Sequence, residues 1–308
     1  KFYKPNFWDK KNISFFSILL LPLSFLIIIL NSFRKFFIKK NKISLPVICV
    51  GNVYLGGTGK TPLTLEIFNI LKSLKKNPAF VRKKYKTHKD EVILQKQTGL
   101  VFEDLKRINA INDAIKNTVN VVILDDGFQD FSINKDLSIL CFNEKQWIGN
   151  GFVIPAGPLR ERLTAIKRAQ CVIINGEKNI QIEKKILSIN EKIKIFYSKY
   201  IPLNIDLFRN KNVIAFAGIG NPNNFFDLLE SNKIEILKKI SFPDHYNYSD
   251  TELEKLTIDA KEKNAILLTT EKDYLRINKN YKKNINFLKI KIEIKNKDGF
   301  IEEIKKII

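Results

Sequence analysis

Gly51-Asn52-Val53-Tyr54-Leu55-Gly56-Gly57-Thr58-Gly59-Lys60-Thr61-Pro62 follows an apolar run, residues 45–50, of the kind that forms a buried strand. A strand, then a glycine-rich loop, then Lys-Thr opening a helix is the build of a cradle for nucleotide phosphates. Gly56, Gly57 and Gly59 let backbone N–H groups around Thr58 turn inward onto phosphate oxygens. The Lys60 ammonium reaches the β- and γ-phosphates, and the Thr61 hydroxyl can ligate Mg²⁺. The strict G-x-x-x-x-G-K-[ST] pattern wants glycine at 54, where this chain has Tyr54. A glycine-rich turn that binds nothing is the competing reading, and the strand–helix setting weighs against it.

A second apolar run, 119–124, ends in Asp125-Asp126-Gly127-Phe128-Gln129. Carboxylates that emerge at the carboxyl edge of a sheet, beside a phosphate loop, suit Mg²⁺, which takes hard oxygen ligands and needs only one or two of them. Taken alone, an exposed Asp-Asp-Gly turn explains these residues equally well. After a phosphate loop the metal role prevails.

Further strands are expected at 79–82, 137–142 and 170–174, with helices at 61–75, 102–116 and 161–168. This alternation predicts a P-loop NTPase-like α/β fold, a mostly parallel sheet with helices on both faces. The pattern breaks into a connector over 197–210. A second αβ series then begins with strands at 212–217, 235–241, 265–268 and 284–291. A helix runs to about 229, and Ser249-Asp250-Thr251-Glu252 reads as a capping box that opens another. A last helix starts near 297. Residues 149–161, rich in Gly and Pro and ending in Arg160-Glu161, read as a rigid, tightly turned connection near a helix start.

The 308 residues can hold about two domains with their own cores. Cys49, Cys141 and Cys171 lie in apolar runs without metal-ligand spacing, which predicts buried, reduced thiols. The net charge of +21 invites a nucleic-acid or anionic-membrane reading. Lysine supplies most of it and is spread along the chain among Ile, Asn and Phe, as compositional bias alone would give. No recognised nucleic-acid module with a basic stripe or stacking aromatics appears, so nucleic acid is not expected as a partner.

From Ile13 to Phe33 no residue is charged, and lysines and arginines flank the run on both sides. At ~1.5 Å per residue a helix here reaches ~30 Å, the thickness of a bilayer core. Pro22 leaves two arrangements open, a kinked spanning helix or one lying in a single leaflet. No small-x-small cleavage site follows, which argues against a signal peptide. A nucleotide loop after the segment must meet cytosolic ATP, so the bulk of the chain is expected in the cytoplasm. The sequence contains no methionine, and residues ahead of Lys1 are expected. Two histidines remain, His88 near Asp90-Glu91 and His245 in Asp244-His245-Tyr246. Either could serve as part of a general base beside a carboxylate, or be an ordinary structural histidine.

In order along the chain, the apolar segment, the Gly51-to-Pro62 loop, Asp125-Asp126-Gly127-Phe128-Gln129, Pro155-Ala156-Gly157-Pro158-Leu159-Arg160-Glu161, Asp244-His245-Tyr246 and Thr270-Glu271-Lys272-Asp273 together resemble the tetraacyldisaccharide 4′-kinase family, the lipid A 4′-kinases of Gram-negative bacteria. The resemblance covers essentially the whole chain and accommodates Tyr54. It implies ATP-dependent phosphorylation of the 4′-hydroxyl of an acylated glucosamine disaccharide 1-phosphate, giving lipid IVA at the cytoplasmic face of the bacterial inner membrane. By the same resemblance Asp90, paired with His245, is the base and Arg107 steadies phosphoryl charge. Lys60 completes the catalytic set, Gln129 joins the loop as a nucleotide neighbour, and Glu161 joins Thr61, Asp125 and Asp126 around Mg²⁺. The expected division is a membrane anchor at 1–40, a P-loop kinase core at 41–205 and a smaller C-terminal α/β domain at 206–308, with inner-membrane lipid as a partner and a monomeric chain.

Residues 82–92 depart from the family's Ser-Arg-Gly-Tyr-Gly and Gly-Asp-Glu-Pro pattern: the chain reads Arg82-Lys83-Lys84-Tyr85-Lys86, then, after a shortened link, Lys89-Asp90-Glu91-Val92. A shorter approach is expected to shift Asp90. That departure is what a competing reading, a membrane-associated P-loop ATPase that switches conformation and phosphorylates no lipid, would rest on.

Overall fold

A computed structural model describes residues 4–10, 12–85 and 89–308. From the N-terminus come α1 (Phe15–Phe37), β1 (Val47–Gly51), α2 (Lys60–Ser73), β2 (Pro78–Lys83), α3 (Lys89–Thr98), β3 (Val101–Asp104), α4 (Arg107–Lys116), β4 (Val121–Asp125), β5 (Leu137–Asn143) and β6 (Cys171–Asn175). There follow α5 (Ile180–Leu187), β7 (Lys194–Pro202), β8 (Val213–Ala217), α6 (Pro222–Ser231), β9 (Ile236–Ser241) and α7 (Asp250–Glu262). Then come β10 (Ile266–Thr270), α8 (Glu271–Arg276), β11 (Ile285–Leu288), β12 (Ile290–Lys295) and α9 (Lys297–Lys305). The chain divides into two compact units. One gathers residues 4–84, Gly99–Lys199 and Glu293–Ile308; the other gathers the described residues of 85–98 and Tyr200–Ile292.

In the first unit the strands run in the order β12-β7-β6-β5-β1-β4-β2-β3. Every neighbouring pair from β7 to β3 is parallel. Parallel strands joined by helices must be covered on both faces, and their sequences are accordingly apolar throughout. Val47, Cys49, Ala79, Val81, Val122 and Leu124 turn one way and meet Ala110 and Ile111 of α4; Ile182 and Ile186 of α5 belong to the same core. Phe80, on the opposite face of β2, stacks on Phe68 of α2 with ring centroids 4.8 Å apart. The three cysteines are free and buried, and burial pushes each thiol up to about 12.

The second unit holds a four-stranded parallel sheet in the order β11-β10-β8-β9. Along β8 the side chains alternate. Val213, Ala215 and Ala217 pack with Phe225, Phe226 and Leu229 of α6, while Ile214 and Phe216 pack with Leu253 and Leu256 of α7. Ser249 and Glu252 form the expected capping box at the start of α7.

Four local expectations change. The helix expected over 102–116 begins only at Arg107, because Val101–Asp104 adds as an edge strand to β2, with Phe80 opposite Val101 and Lys83 opposite Asp104. The helix expected at 161–168 is a 3₁₀ turn, Leu163–Arg168, whose entry is fixed by side-chain bonds to Glu161. The connector expected over 197–210 contains most of β7, which pairs in parallel with β6. The strand expected at 284–291 is two strands, β11 and β12, in different sheets.

The apolar segment forms α1, 23 residues long and continuous through Pro22. By length and composition it could cross a membrane. One stripe of it is docked. Ser17 and Ser24 are buried, and Ser24 donates from Oγ to the Val153 carbonyl at 2.8 Å and accepts the Ala156 N–H at 3.0 Å. Asn150 donates to Ser17 Oγ at 3.1 Å, and Lys35 pairs with Glu161 at 3.1 Å. Phe15, Phe16, Leu19, Phe33 and Phe36 stay exposed. The serines let the helix backbone approach the 150–156 loop closely and satisfy its orphan groups. Ser24→Ala leaves the buried Ala156 N–H unpaired and the Val153 carbonyl with only the Gly157 N–H, at 3.2 Å, and is expected to lower the stability of this unit by about 1–3 kcal/mol in denaturant unfolding in detergent.

Candidate active site

β1 and β4 are neighbours in register, Val50 opposite Asp125. The loop after β1 and the acidic turn after β4 therefore leave the sheet at the same edge. Gly59, with φ +94°, caps α2, and Gly56 has φ +133°, conformations that side-chain-bearing residues rarely adopt. Asn52, fully buried, folds the loop by donating to the Gly56 carbonyl at 3.2 Å and to Thr58 Oγ at 3.0 Å. No side chain caps the first turn of α2, so its N–H groups and the helix dipole face the loop. Gln129 closes the back of the loop through a 2.9 Å bond to the Asn52 carbonyl.

Tyr54 does not enter this cradle. Its ring is buried among Val153 and Leu159, with Ile28 of α1 alongside, and its hydroxyl bonds Asp9 and Lys4. The neighbouring backbone is laced to the Pro-Ala-Gly-Pro segment: Leu55 N–H to the Pro158 carbonyl at 2.8 Å, Arg160 N–H to the Val53 carbonyl at 2.7 Å.

The acidic turn is held by cations. Lys60 Nζ lies 3.6 Å from Asp126 Oδ1, and Arg160 bonds both oxygens of Asp126 at 2.8 and 3.0 Å. Asp125, buried, pairs with the equally buried Arg82 at 3.1 Å. Arg107 grips the turn from below, donating to the carbonyls of Asp126 at 2.8 Å and Asp125 at 3.4 Å and to Asp130 at 3.1 Å. Asp126 itself has φ +54°, which that grip sustains. Glu161 accepts from Gln129 at 3.1 Å, Arg168 at 2.7 Å and Lys35 at 3.1 Å, so both its oxygens are engaged. Burial opposes its charge, but Arg168 and Lys35 hold its carboxyl below the usual range.

Thus Lys60, Asp126 and the loop glycines come together, with Thr61 in the first turn of α2 and Asp125 next to Asp126. Arg107 and Glu161 stand one step behind. Arg82 and Arg160 were not singled out by the sequence as site residues. Arg160 lies within the Pro-Ala-Gly-Pro-Leu-Arg-Glu run and Arg82 in the stretch compared with the family's Ser-Arg-Gly-Tyr-Gly, but neither pattern shows which acid its arginine meets. Hard oxygens of Thr61, Asp125 and Asp126 at one sheet edge fit Mg²⁺, which takes few carboxylates and keeps waters. Among the described residues no three His, Cys, Asp or Glu side chains converge on one point, and Mg²⁺ beside phosphate needs no such cluster.

The second unit carries the other pair. Asp90, in the first turn of α3, is buried, and its Oδ1 lies 3.4 Å from His245 Nδ1. The shortened link before α3 leaves the two in contact. His88 lies outside the described residues. Burial disfavours charge on His245, but Asp90, Asp244 and Glu91 outweigh it and raise its pKa above 6.5. Burial likewise opposes the Asp90 carboxylate, and His245, Lys272 and Arg276 overcome that, holding it below its ordinary value of 3.8. His245 is the more open member and has φ +53°, its N–H fixed on the Gly218 carbonyl at 3.0 Å.

The imidazole of His245 is expected to titrate above 6.5 in NMR spectra of the intact protein and to fall in Asp90→Asn, which removes the charge but keeps the shape. Because the folded-state value lies above the unfolded one, the stability that His245 contributes is complete below about pH 6.5 and fades as pH rises through the raised value.

The sequence profile of LpxK, tetraacyldisaccharide-1-P 4′-kinase, matches residues 16–308. A tetraacyldisaccharide 4′-kinase of Pelagibacter ubique is 42% identical over all of this chain and 98% of its own. That of Rickettsia bellii is 34% identical over 99% of each chain. A crystal structure of LpxK from Aquifex aeolicus, described as an "apo" form in complex with ATP, superposes with a TM-score of 0.72 at 28% identity, covering 94% of this chain and 99% of that one. A match spanning both units, carried by relatives of full length, means that the chain belongs to the tetraacyldisaccharide-1-P 4′-kinase family.

Proposed function

We propose that the protein transfers the γ-phosphoryl group of ATP to the 4′-hydroxyl of tetraacyldisaccharide 1-phosphate, forming lipid IVA. The observation that carries this reading is the meeting of Lys60 and Asp126, 3.6 Å apart, where parallel β1 and β4 end. Backbone N–H groups of Gly56, Gly57, Thr58 and Gly59 wrap the phosphates, and Lys60 and Arg160 neutralise the charge that spreads over the transferred group. Thr61, Asp125 and Asp126 would hold Mg²⁺, which supplies further charge neutralisation when bound. Arg107 fixes the turn that carries both aspartates, and so acts on phosphoryl charge at one remove. Glu161 and Gln129 lock the 160–161 segment to the loop.

In the second unit His245 takes the proton from the acceptor hydroxyl, and the Asp90 carboxylate behind it stabilises the resulting imidazolium. An imidazole kept basic by a buried carboxylate is suited to an alcohol, which has to lose its proton as the new P–O bond forms.

The acceptor is a lipid, and α1 fits a membrane surface better than a crossing. Its docked contacts run from Ser17 to Lys35, about 27 Å of helix at ~1.5 Å per residue, so protein accompanies it for its whole length. The opposite face, with Phe15, Phe16, Leu19 and Phe33, enters one leaflet at the cytoplasmic side of the inner membrane.

Transfer of γ-³²P from ATP to tetraacyldisaccharide 1-phosphate in detergent micelles tests the assignment. Wild type should form labelled product, Lys60→Ala about 100- to 1,000-fold less, and Asp90→Asn about 100-fold less with ATP affinity unchanged. A wild-type protein that binds ATP yet labels no acceptor would sink it.

A further inference from the structure

Thr270-Glu271-Lys272-Asp273 has no part in the chemistry derived so far, yet it opens α8 and stands behind the Asp90–His245 pair. Asp273 is fully buried. Its carboxylate accepts from the Gly218 N–H at 3.1 Å, the Tyr248 hydroxyl at 2.7 Å, the Thr270 hydroxyl at 2.6 Å and Nη2 of Arg276. The same Nη2 donates to the Gly218 carbonyl at 2.9 Å, the carbonyl that receives the His245 backbone N–H. Through Nε, Arg276 lies 3.9 Å from Asp90 Oδ2, which leaves Oδ1 to the imidazole. Lys272 bonds Glu91, the neighbour of Asp90, at 2.7 Å.

From this geometry we propose that Arg276 is a positioning residue for phosphoryl transfer, tying the Gly218 carbonyl that supports His245 to the far oxygen of Asp90. The proposal rests on the kinase reading above. His245 sits in the left-handed backbone region, uncommon for a residue with a side chain, and needs its N–H held from outside. One planar guanidinium meets a carbonyl and two carboxylates at once; a lysine ammonium is a single point charge that cannot span them. The charges facing the pair are Arg276 and Lys272 from α8, Glu91 from α3 and Asp244 beside His245, with Asp273 behind Arg276. Removing the Arg276 cation makes Asp90 a stronger base and binds the proton on His245 more tightly. The acid limb of the rate profile then moves to higher pH.

The test compares wild type, Arg276→Met and Arg276→Lys as full chains in the micelle assay, with kcat, both KM values and the pH profile. Arg276→Met should lower kcat about 10- to 100-fold, leave the KM for ATP unchanged and raise the acid limb by about one unit. Arg276→Lys should restore the limb but only part of kcat. An Arg276→Met enzyme with wild-type kcat and an unmoved limb overturns the proposal. Should that variant not fold, an Arg276→Lys enzyme equal to wild type in kcat overturns it instead. If wild type phosphorylates no lipid, the kinase reading fails, and the NMR titration of His245 still decides: an imidazole pKa unchanged in Arg276→Met refutes the role of Arg276, and one raised in Arg276→Met but returned to the wild-type value in Arg276→Lys supports it.

Discussion

The register of β1 against β4 is the constraint on which the nucleotide end depends. With Val50 opposite Asp125, a glycine-rich loop and an acidic turn are delivered to one sheet edge without either having to reach for the other. A slip by one residue would turn every side chain of the strand to the other face. The buried runs Val47–Gly51 and Val121–Asp125, apolar up to their last residues, resist that slip from both sides of the sheet. An acid placed as deep as Asp125 needs a partner, because an unpaired buried carboxylate is costly. Arg82 meets that need for the buried Asp125, while Lys60 and Arg160 pair with the half-buried Asp126.

The chain is rich in lysine, yet arginine does most of the holding at both sites. Arg107 under the Asp125–Asp126 turn and Arg276 behind Asp90 each use several nitrogens on carbonyls and carboxylates together. A planar fork with several fixed donors fits that task, and lysine would satisfy one acceptor and leave the others. Surface lysines such as Lys116 or Lys306 pair within a helix turn and add little.

How far the molecule could be read from its sequence follows from the range of each interaction. The phosphate loop, the acidic turn and the capping box at Ser249 are local patterns, and each forms where its residues predict. The edge strand β3 merges in sequence with the helical pattern of 102–116, because a four-residue strand has too little alternation to declare itself and exists only by pairing with β2. Pro202 at its end disguises β7, although its pairing partner β6 reads plainly as a strand. Asp90 and His245 were legible through resemblance alone, since 154 intervening residues leave no periodic trace of their contact. The same holds for Arg82 on Asp125 and for Arg276 on Asp90 and Gly218: these partners are distant in sequence, and only the fold brings them near.

Tyr54 carries a consequence for anyone who would handle the protein. With glycine replaced there by a ring packed against Ile28 and bonded to Asp9 and Lys4, the front half of the phosphate loop uses the N-terminal segment as its wall. Trimming away the apolar helix to obtain a soluble catalyst would remove that wall. The hydrophobic helix and the residue that begins the cradle share one packed cluster, and detergent is the natural solvent for studying both.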